Sequence, residues 1–433
     1  MTHEVKTNHI DDIKGLIEDR NEERIKDYLS SLHFSDIARV LEAIEEDDMV
    51  YAFRLLTPDV ASEVFLEVDE RLRDGLISVI SSTELVEVVD EMETDDAADV
   101  ISDLPQADAR KVLDGIEEED SIEVQKLMRY AEDTAGGKMQ AELIAIHEDA
   151  TVDETIEEVR SKSADVENIT NIFVVNSSNE LTGVVSLDKL ILAEWGDAIK
   201  KLVDKEPVKV ATDLDQEEVA RIFQRYDLLS MPVVDSSNRL VGRITIDDVV
   251  DVLEEEIFED FYRMASLNIG ERALDTPFRS FKMRAPWLLL NLVTAFFAVM
   301  VVRAFQDTIE TLVILAVLMP VVAGLGGNAA TQTITVVIRG LALGEFHTMH
   351  TRRMLMKEAM VGLANGLLIG AVAGFAAFLF GAGPMIGVLL FLAMTANLII
   401  AAVGGAGIPL ILKWFKVDPA LSASIFVTAC TDT

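Results

Sequence analysis

Hydrophobic and polar positions alternate in three different ways along the 433 residues. From residue 1 to about 131, Leu, Val and Ile recur at spacings of three and four, which predicts short amphipathic helices that each bury one stripe. Start signals repeat: Ser35-Asp36 precedes IARVLEAI, Thr57-Pro58-Asp59 precedes VASEVFLEV, and Thr94-Asp95-Asp96 precedes AADVISDL. Each supplies an N-cap oxygen and first-turn acids, and Pro58 stands where a missing N–H costs nothing. The expectation is an all-α helical repeat stacked as a solenoid. From 132 to 256 the period changes, and two similar units, about 138–195 and 202–256, follow one another. Each reads as helix, apolar strand (Phe173–Val175; Pro232–Val234), polar turn, second strand and second helix, an α/β pair. An amphipathic connecting helix over 257–284 follows, carrying Ile257, Phe261, Met264 and Phe281.

From 285 to 433 the chain reads as an α-helical transmembrane domain. Four apolar runs, Pro286–Val302, Leu312–Ile338, Met360–Leu379 and Ile386–Leu412, match a hydrocarbon core about 30 Å thick. Ala420–Thr433 begins a fifth run too short to cross, so the chain is expected to end inside a span. Arg339, Arg352, Arg353 and Lys357 mark one loop, and Lys413 and Lys416 mark the next loop on that side. Both loops and everything before the membrane are therefore expected in the cytoplasm. The opening MTHEVKTNHIDDIKGLIEDR lacks the apolar segment of a signal peptide.

The formal charge of −38 is distributed very unevenly. From Arg284 onward there are 8 basic and 6 acidic residues, which leaves about −40 on the front part. Such a surface repels nucleic acid and attracts cations, so no nucleic-acid partner is expected. Cys430 is the single cysteine, excludes an intramolecular disulfide, and is expected to pack as a small apolar residue.

Polar chemistry inside the apolar part concentrates in Leu318–Glu345, where Pro320, Gly324, Gly326 and Gly327 accompany Asn328, Thr331 and Gln332. Backbone and amides at membrane depth need protein or a water-filled pathway to satisfy them. Two readings fit: a polar conduit, or close helix packing through Gly and Ala with amides bridging neighbours. Asp432 is the acid lying well inside a predicted span, which makes it a functional candidate. Glu358 sits at the edge of the third.

In the front part, acids crowd at the end of the second unit: Asp247, Asp248, Asp251, Glu254, Glu255, Glu256, Glu259 and Asp260. On one helix, Asp248, Asp251, Glu255 and Glu259 share a side, and their repulsion calls for a cation. Oxygen-only donors suit Mg2+ or Ca2+, and the scattered His residues argue against zinc. His347 and His350, among Arg352 and Arg353, are expected in a cytoplasmic loop.

The two α/β units resemble a tandem pair of cystathionine-β-synthase (CBS) domains, a family whose pairs bind adenosine nucleotides or metal ions in the cleft between copies. A Ser or Thr followed three residues later by Asp receives ribose in that family; Thr245 and Asp248 keep the pattern. Ser186 leads instead to Lys189, so adenine nucleotide (ATP) binding is expected to be weak. Gly137-Lys138 does not form a P-loop.

The whole arrangement resembles the MgtE family of bacterial magnesium channels. The marks are Pro320 with GLGGNAATQ (324–332), IRGLA (338–342), Val417-Asp418-Pro419-Ala420-Leu421 and Thr431-Asp432-Thr433. The resemblance implies a homodimer in the bacterial plasma membrane with a pore ion site at Asp432 and Asn328, and no enzymatic activity. It also implies regulatory Mg2+ ligands at Glu63, Asp95, Asp99, Asp215, Glu217, Asp227, Asp248, Asp251, Glu256, Glu259 and Asp260, with Asp418 at the membrane edge. The mechanism implied is feedback: intracellular Mg2+ bridges repelling carboxylates and holds the connecting helices against the pore. The competing readings are an ion-coupled secondary transporter, with Glu358 as the coupling group, and a membrane-anchored nucleotide sensor.

Overall fold

The computed structural model describes residues 7–268, 270–273, 275–342, 351–419 and 423–433. They form two compact units, Met1–Leu253 and Glu254–Thr433.

The first unit begins with ten short helices: α1 Thr7–Glu18, α2 Glu22–Leu29, α3 Phe34–Glu42, α4 Glu46–Phe53, α5 Pro58–Glu67, α6 Glu70–Val79, α7 Ser82–Val89, α8 Thr94–Asp103, α9 Gln106–Leu113 and α10 Glu118–Leu127. Each is too short to hold alone, so its stability comes from the buried stripe. Ile37, Val40 and Leu41 of α3, Val64 and Phe65 of α5, and Val100 and Ile101 of α8 are sealed into one core. Caps fix the starts: Ser81 and Glu84 form a reciprocal capping box at α7, and Asp69 accepts from Leu72 N–H at α6. Thr57 makes no side-chain cap at α5, where Pro58 occupies the first turn.

The two following modules repeat each other closely. In the first, β1 (Ala145–His147) runs parallel to β2 (Asn171–Val175), which pairs antiparallel with β3 (Leu181–Ser186). In the second, β4 (Val210–Ala211), β5 (Ser230–Val234) and β6 (Leu240–Thr245) repeat that order and carry a bulge at the matching place. Helices α11 (Val152–Ser161), α12 (Leu187–Ile191) and α13 (Gln216–Tyr226) flank the sheets. The copies interlock through their turns. Asn179 and Asn238, both at positive φ, donate from Nδ2 to the other copy's Leu240 and Leu181 carbonyls at 3.0 Å. Asn tolerates that backbone region better than most residues. Phe173, Leu181, Val234 and Leu240 close the space beneath.

Helix α14 spans Ile246–Met264 without a break. This agrees with one helix over Asp248–Asp260 but differs from a single connecting helix over 257–284. Residues 257–264 are the end of α14, a loop follows, and 277–284 open the next helix. The reason is local: Thr276 caps that helix by accepting from Arg279 N–H, and Pro277 sits in its first turn.

The second unit continues with α15 (Pro277–Ala304), the short α16 (Gln306–Thr311), α17 (Ile314–Ala342), α18 (Thr351–Leu379), α19 (Pro384–Trp414) and α20 (Ala423–Asp432). Of these α15, α17, α18 and α19 are long and apolar enough to cross a membrane. Each of the four extends past its predicted run at one end or both, because the helical hydrogen-bond pattern continues into flanking residues that hydropathy leaves out. The fifth run is the ten-residue α20. Helices α18 and α19 pack backbone to backbone. A Cβ on Gly362, Gly366 or Gly370 would lie 2.7 to 2.8 Å from α19 atoms, and on Gly374 2.5 Å from the Gly387 carbonyl. Asn397 of α19, nearly buried, donates from Nδ2 to the Val322 carbonyl of α17 at 2.9 Å. Ala330, Ile334 and Ile338 of α17 meet Ala401 of α19 and Val427 of α20. Cys430, expected to pack, is exposed on α20. His347 and His350 lie outside the described residues.

Candidate metal-binding seam and ion path

The front unit's acids come together where the helical repeat meets the paired modules. Helix α8 starts there, with Glu93 as its N-cap and Asp95 and Asp96 in its first turn, and Asp95 is only 6% exposed. The strand leading into the modules lies alongside. Thr94 donates from N–H to Glu142 Oε1 at 3.2 Å and from Oγ1 to Oε2 at 2.9 Å, and its Oγ1 accepts from Ala141 N–H at 2.9 Å. Gln140, fully buried, donates to Glu93 Oε2 at 2.8 Å. From the second module, Arg243 is 2% exposed, donates to the Glu167 carbonyl at 2.8 Å and places Nη2 3.9 Å from Glu93 Oε1. At the start of α14, Asp248 accepts from Thr245 Oγ1 at 2.7 Å. Helix α14 therefore begins with a hydrogen-bonded carboxylate and α8 carries Asp95 and Asp96 in its first turn, so the partial positive charge of two helix N-termini faces the same acids.

Dipoles do not offset the desolvation. Burial, and then the neighbouring Glu142, push Glu93 up to about 8 despite Arg243. Asp96 rises to about 7 through burial and Asp248, and Asp248 to about 6 chiefly through burial. Asp95, the most deeply placed, rises well above the carboxylate range for the same reasons. Glu63 is raised by burial and by Glu167 and Glu67. Each of these groups favours a proton or another positive charge over being bare. Oxygen-only, desolvated and mutually repelling, the set fits a hard divalent cation. It is not preformed: among the described residues no three His, Cys, Asp or Glu side chains already converge as a metal-holding group.

The other predicted ligands are distributed differently. Asp99 lies one turn further along α8, exposed, with Lys138 Nζ at 3.9 Å. Asp215 is spent as the N-cap of α13, accepting from Glu217 N–H, and Asp227 ends that helix in the left-handed region. Asp251 and Glu256 lie on α14. In the second unit Glu259 and Asp418 share one partner, Arg263. Glu93, Glu142, Arg243 and Arg263 were not singled out by sequence, and Asp96 stood out there only as a first-turn acid of a helix. A charged residue inside the apolar strand LVGRIT was the one available signal, for Arg243.

In the membrane unit Asp432 is the last residue of α20 and is exposed, as is Asn328 on α17. The two helices pack together, yet among the described residues no hydrogen bond joins Asp432 to Asn328. Glu358 of α18 is 4% exposed, pairs with Lys357 at 2.6 Å, and lines a cavity of about 220 Å³ with Gln332, Thr333 and Asn365.

Desolvated acids beside a pair of α/β modules, followed by apolar helices long enough to cross a membrane and a last helix ending in a carboxylate, fit the class of membrane transporters of cations. The sequence patterns of known families agree: the MgtE intracellular N domain matches residues 32–133, the CBS domain 135–196 and 199–255, and the divalent cation transporter MgtE 319–433. The magnesium transporter MgtE of Thermus thermophilus is 31% identical over 421 residues, covering 94% of this chain and 92% of its own. That of Bacillus subtilis is 29% identical over 416 residues, covering 94% and 91%. The crystal structure of the cytosolic domain of the Mg2+ channel MgtE in complex with ATP is 31% identical, covers 55% of this chain and 98% of that one, and superposes with a TM-score of 0.53. The chain belongs to the MgtE family of divalent cation transporters.

Proposed function

We propose that this protein conducts Mg2+ into the cell down its electrochemical gradient and closes when cytosolic Mg2+ loads the acids of the front unit. The observation that carries the feedback is the seam of Glu93, Asp95, Asp96, Glu142 and Asp248, whose raised proton affinities show how poorly it tolerates bare negative charge. Mg2+ supplies there the compensating charge, held by Asp95, Asp99 and Asp248 with Glu63 nearby. Glu259, Asp260 and Asp418 serve at the membrane side, and Asp215, Glu217, Asp227, Asp251 and Glu256 along α13 and α14. The inward driving force is the membrane potential, about 4.6 kcal/mol per 100 mV for a divalent ion, so no ATPase is required. Asp432 holds the permeating ion and Asn328 assists through its amide. Mg2+ sheds water reluctantly, so part of its hydration shell stays between ion and carboxylate.

Two finer points belong to the same reading. The protein acts as a homodimer, supported by exposed Ile191, Leu192 and Trp195 on the first module and by α15, which buries no residue within its own chain. Adenine nucleotide binds weakly at most, because Thr245 keeps its acid at Asp248 while Ser186 meets Lys189.

The test is Mg2+ uptake into liposomes holding the full chain. Asp432→Ala removes the site's formal charge and should abolish uptake while leaving insertion and folding intact. Wild-type uptake by this variant, or no uptake by the native protein, would overturn the reading.

A further inference from the structure

Arg263 stands in the last turn of α14 and forms ion pairs with two carboxylates from separate parts of the second unit. Glu259 lies one turn earlier on the same helix; Asp418 lies in the loop between α19 and α20. All three side chains are largely withdrawn from solvent, at 31%, 22% and 24% exposure. The next residue, Met264, packs on the core made by Ala330, Ile334 and Ile338 with Ala401 and Val427. An apolar contact thus backs the ionic one. A guanidinium presents five donors in a planar fork and serves two carboxylates at once, which suits it to bridging where a Lys would act as a point charge. Without it, Glu259 and Asp418 would face each other as like charges in a poorly solvated place.

We propose that Arg263 is a tethered cation that latches the end of α14 to the loop before the last helix, so that this junction stays together when Mg2+ is withdrawn. This rests on the feedback reading above and adds a contact that holds without metal, made by carboxylates that can also take Mg2+. Elsewhere the acids need a diffusible ion to approach one another; here the chain carries its own. Arg263 contacts neither Asp432 nor Asn328 and is a positioning residue. It also competes with any divalent ion for the same two carboxylates, so it raises the Mg2+ concentration at which that pair binds metal.

Hydrogen–deuterium exchange on the full-length chain in lipid nanodiscs tests the latch, following peptides over 257–264 and 415–419 in EDTA and in saturating Mg2+. The native protein should protect both segments equally in the two conditions. Arg263→Gln should lose protection about tenfold in EDTA and regain it with Mg2+, as expected when one partner of a withdrawn ion pair is removed. Arg263→Lys, which keeps the charge but not the fork, should recover only part of it, and the exchange Arg263→Glu with Asp418→Arg should restore it. The proposal is overturned if Arg263→Gln keeps native protection in EDTA, or if the native segments are unprotected without metal. Mg2+ uptake measured in parallel separates the two readings. Loss of Mg2+ control in the native protein sinks the feedback, whereas the exchange result decides the latch alone.

Discussion

Replacing Glu93 by Gln should flatten the dependence of the front unit's stability on pH in the absence of metal. In the folded chain Glu93 holds its proton up to about 8, from an ordinary value of 4.5. The sign follows from which state binds the proton more tightly. Near the ordinary carboxylate value the unfolded chain ionises first, so stability falls as pH rises through that range and stops falling above the folded value. At 1.36 kcal/mol per unit, the loss attached to Glu93 approaches about 5 kcal/mol as an upper limit, a large fraction of a domain's stability. Asp96 and Asp248, raised to about 7 and about 6, act in the same direction and complete their loss earlier. In Glu93→Gln the amide keeps an oxygen to accept from Gln140, so the change removes charge without orphaning that donor. The assay is denaturant unfolding of residues 1–264 in EDTA from about pH 5 to about pH 9. The corresponding part of a relative crystallises as a separate domain. The native fragment should lose stability across the range, Glu93→Gln should lose several kcal/mol less, and millimolar Mg2+ should offset the loss in the native fragment. Equal slopes for the two proteins in EDTA would refute the claim that this carboxyl is desolvated at a metal-free seam.

Neutralising Asp99 or Glu259 alone should change little, whereas neutralising Asp95, Asp99, Asp248, Asp251 and Glu259 together should make the front part compact without Mg2+. Protease resistance measured with and without the ion checks this, and equal cleavage of the native protein in both conditions would contradict it. Calorimetry should show ATP binding weaker than in relatives that keep an acid at the position of Lys189; micromolar affinity would contradict that. Asn397→Leu removes the second donor to the Val322 carbonyl and crowds Gly326, so it should destabilise the membrane unit by about 0.5–1.5 kcal/mol, read as a lower melting temperature in detergent. An unchanged melting temperature would remove Asn397 as a tie between α17 and α19.

What sequence conveyed best was local. The doubled strand pattern and the apolar runs each depend on neighbours within a few positions and match the observed elements, whereas the start signals located α3, α5 and α8 but not their caps: His33, not Ser35, caps α3, and neither Thr57 nor Glu93 makes a side-chain cap at α5 and α8. The connecting segment was misread because apolar residues continue across it while Thr276-Pro277 restarts the helix. The seam was only half visible. Asp95 and Asp248 came through family resemblance, but Glu142 reaches Thr94 across 48 residues and Arg243 reaches Glu93 from the second module, where no periodicity operates. Burial was likewise invisible: Cys430 looked internal and is exposed, and nothing local to Asp95 announces that it is sealed.

The glycine row of α18 has a mechanical consequence. Backbones already in contact leave no side chains to slide or repack, so α18 and α19 behave as one beam, and tilting either against the other means tearing that contact open. Any widening of an ion path must then come from elements joined more loosely. Helix α20 is short, and α15 buries nothing within its own chain. The pair is thus the stator of the membrane unit, α17 is tied to it through Asn397, and α15 is the helix least held by its own chain. Bulky residues at Gly366 or Gly374 would therefore damage assembly, whereas equally bulky residues on α15 would be read out as altered opening.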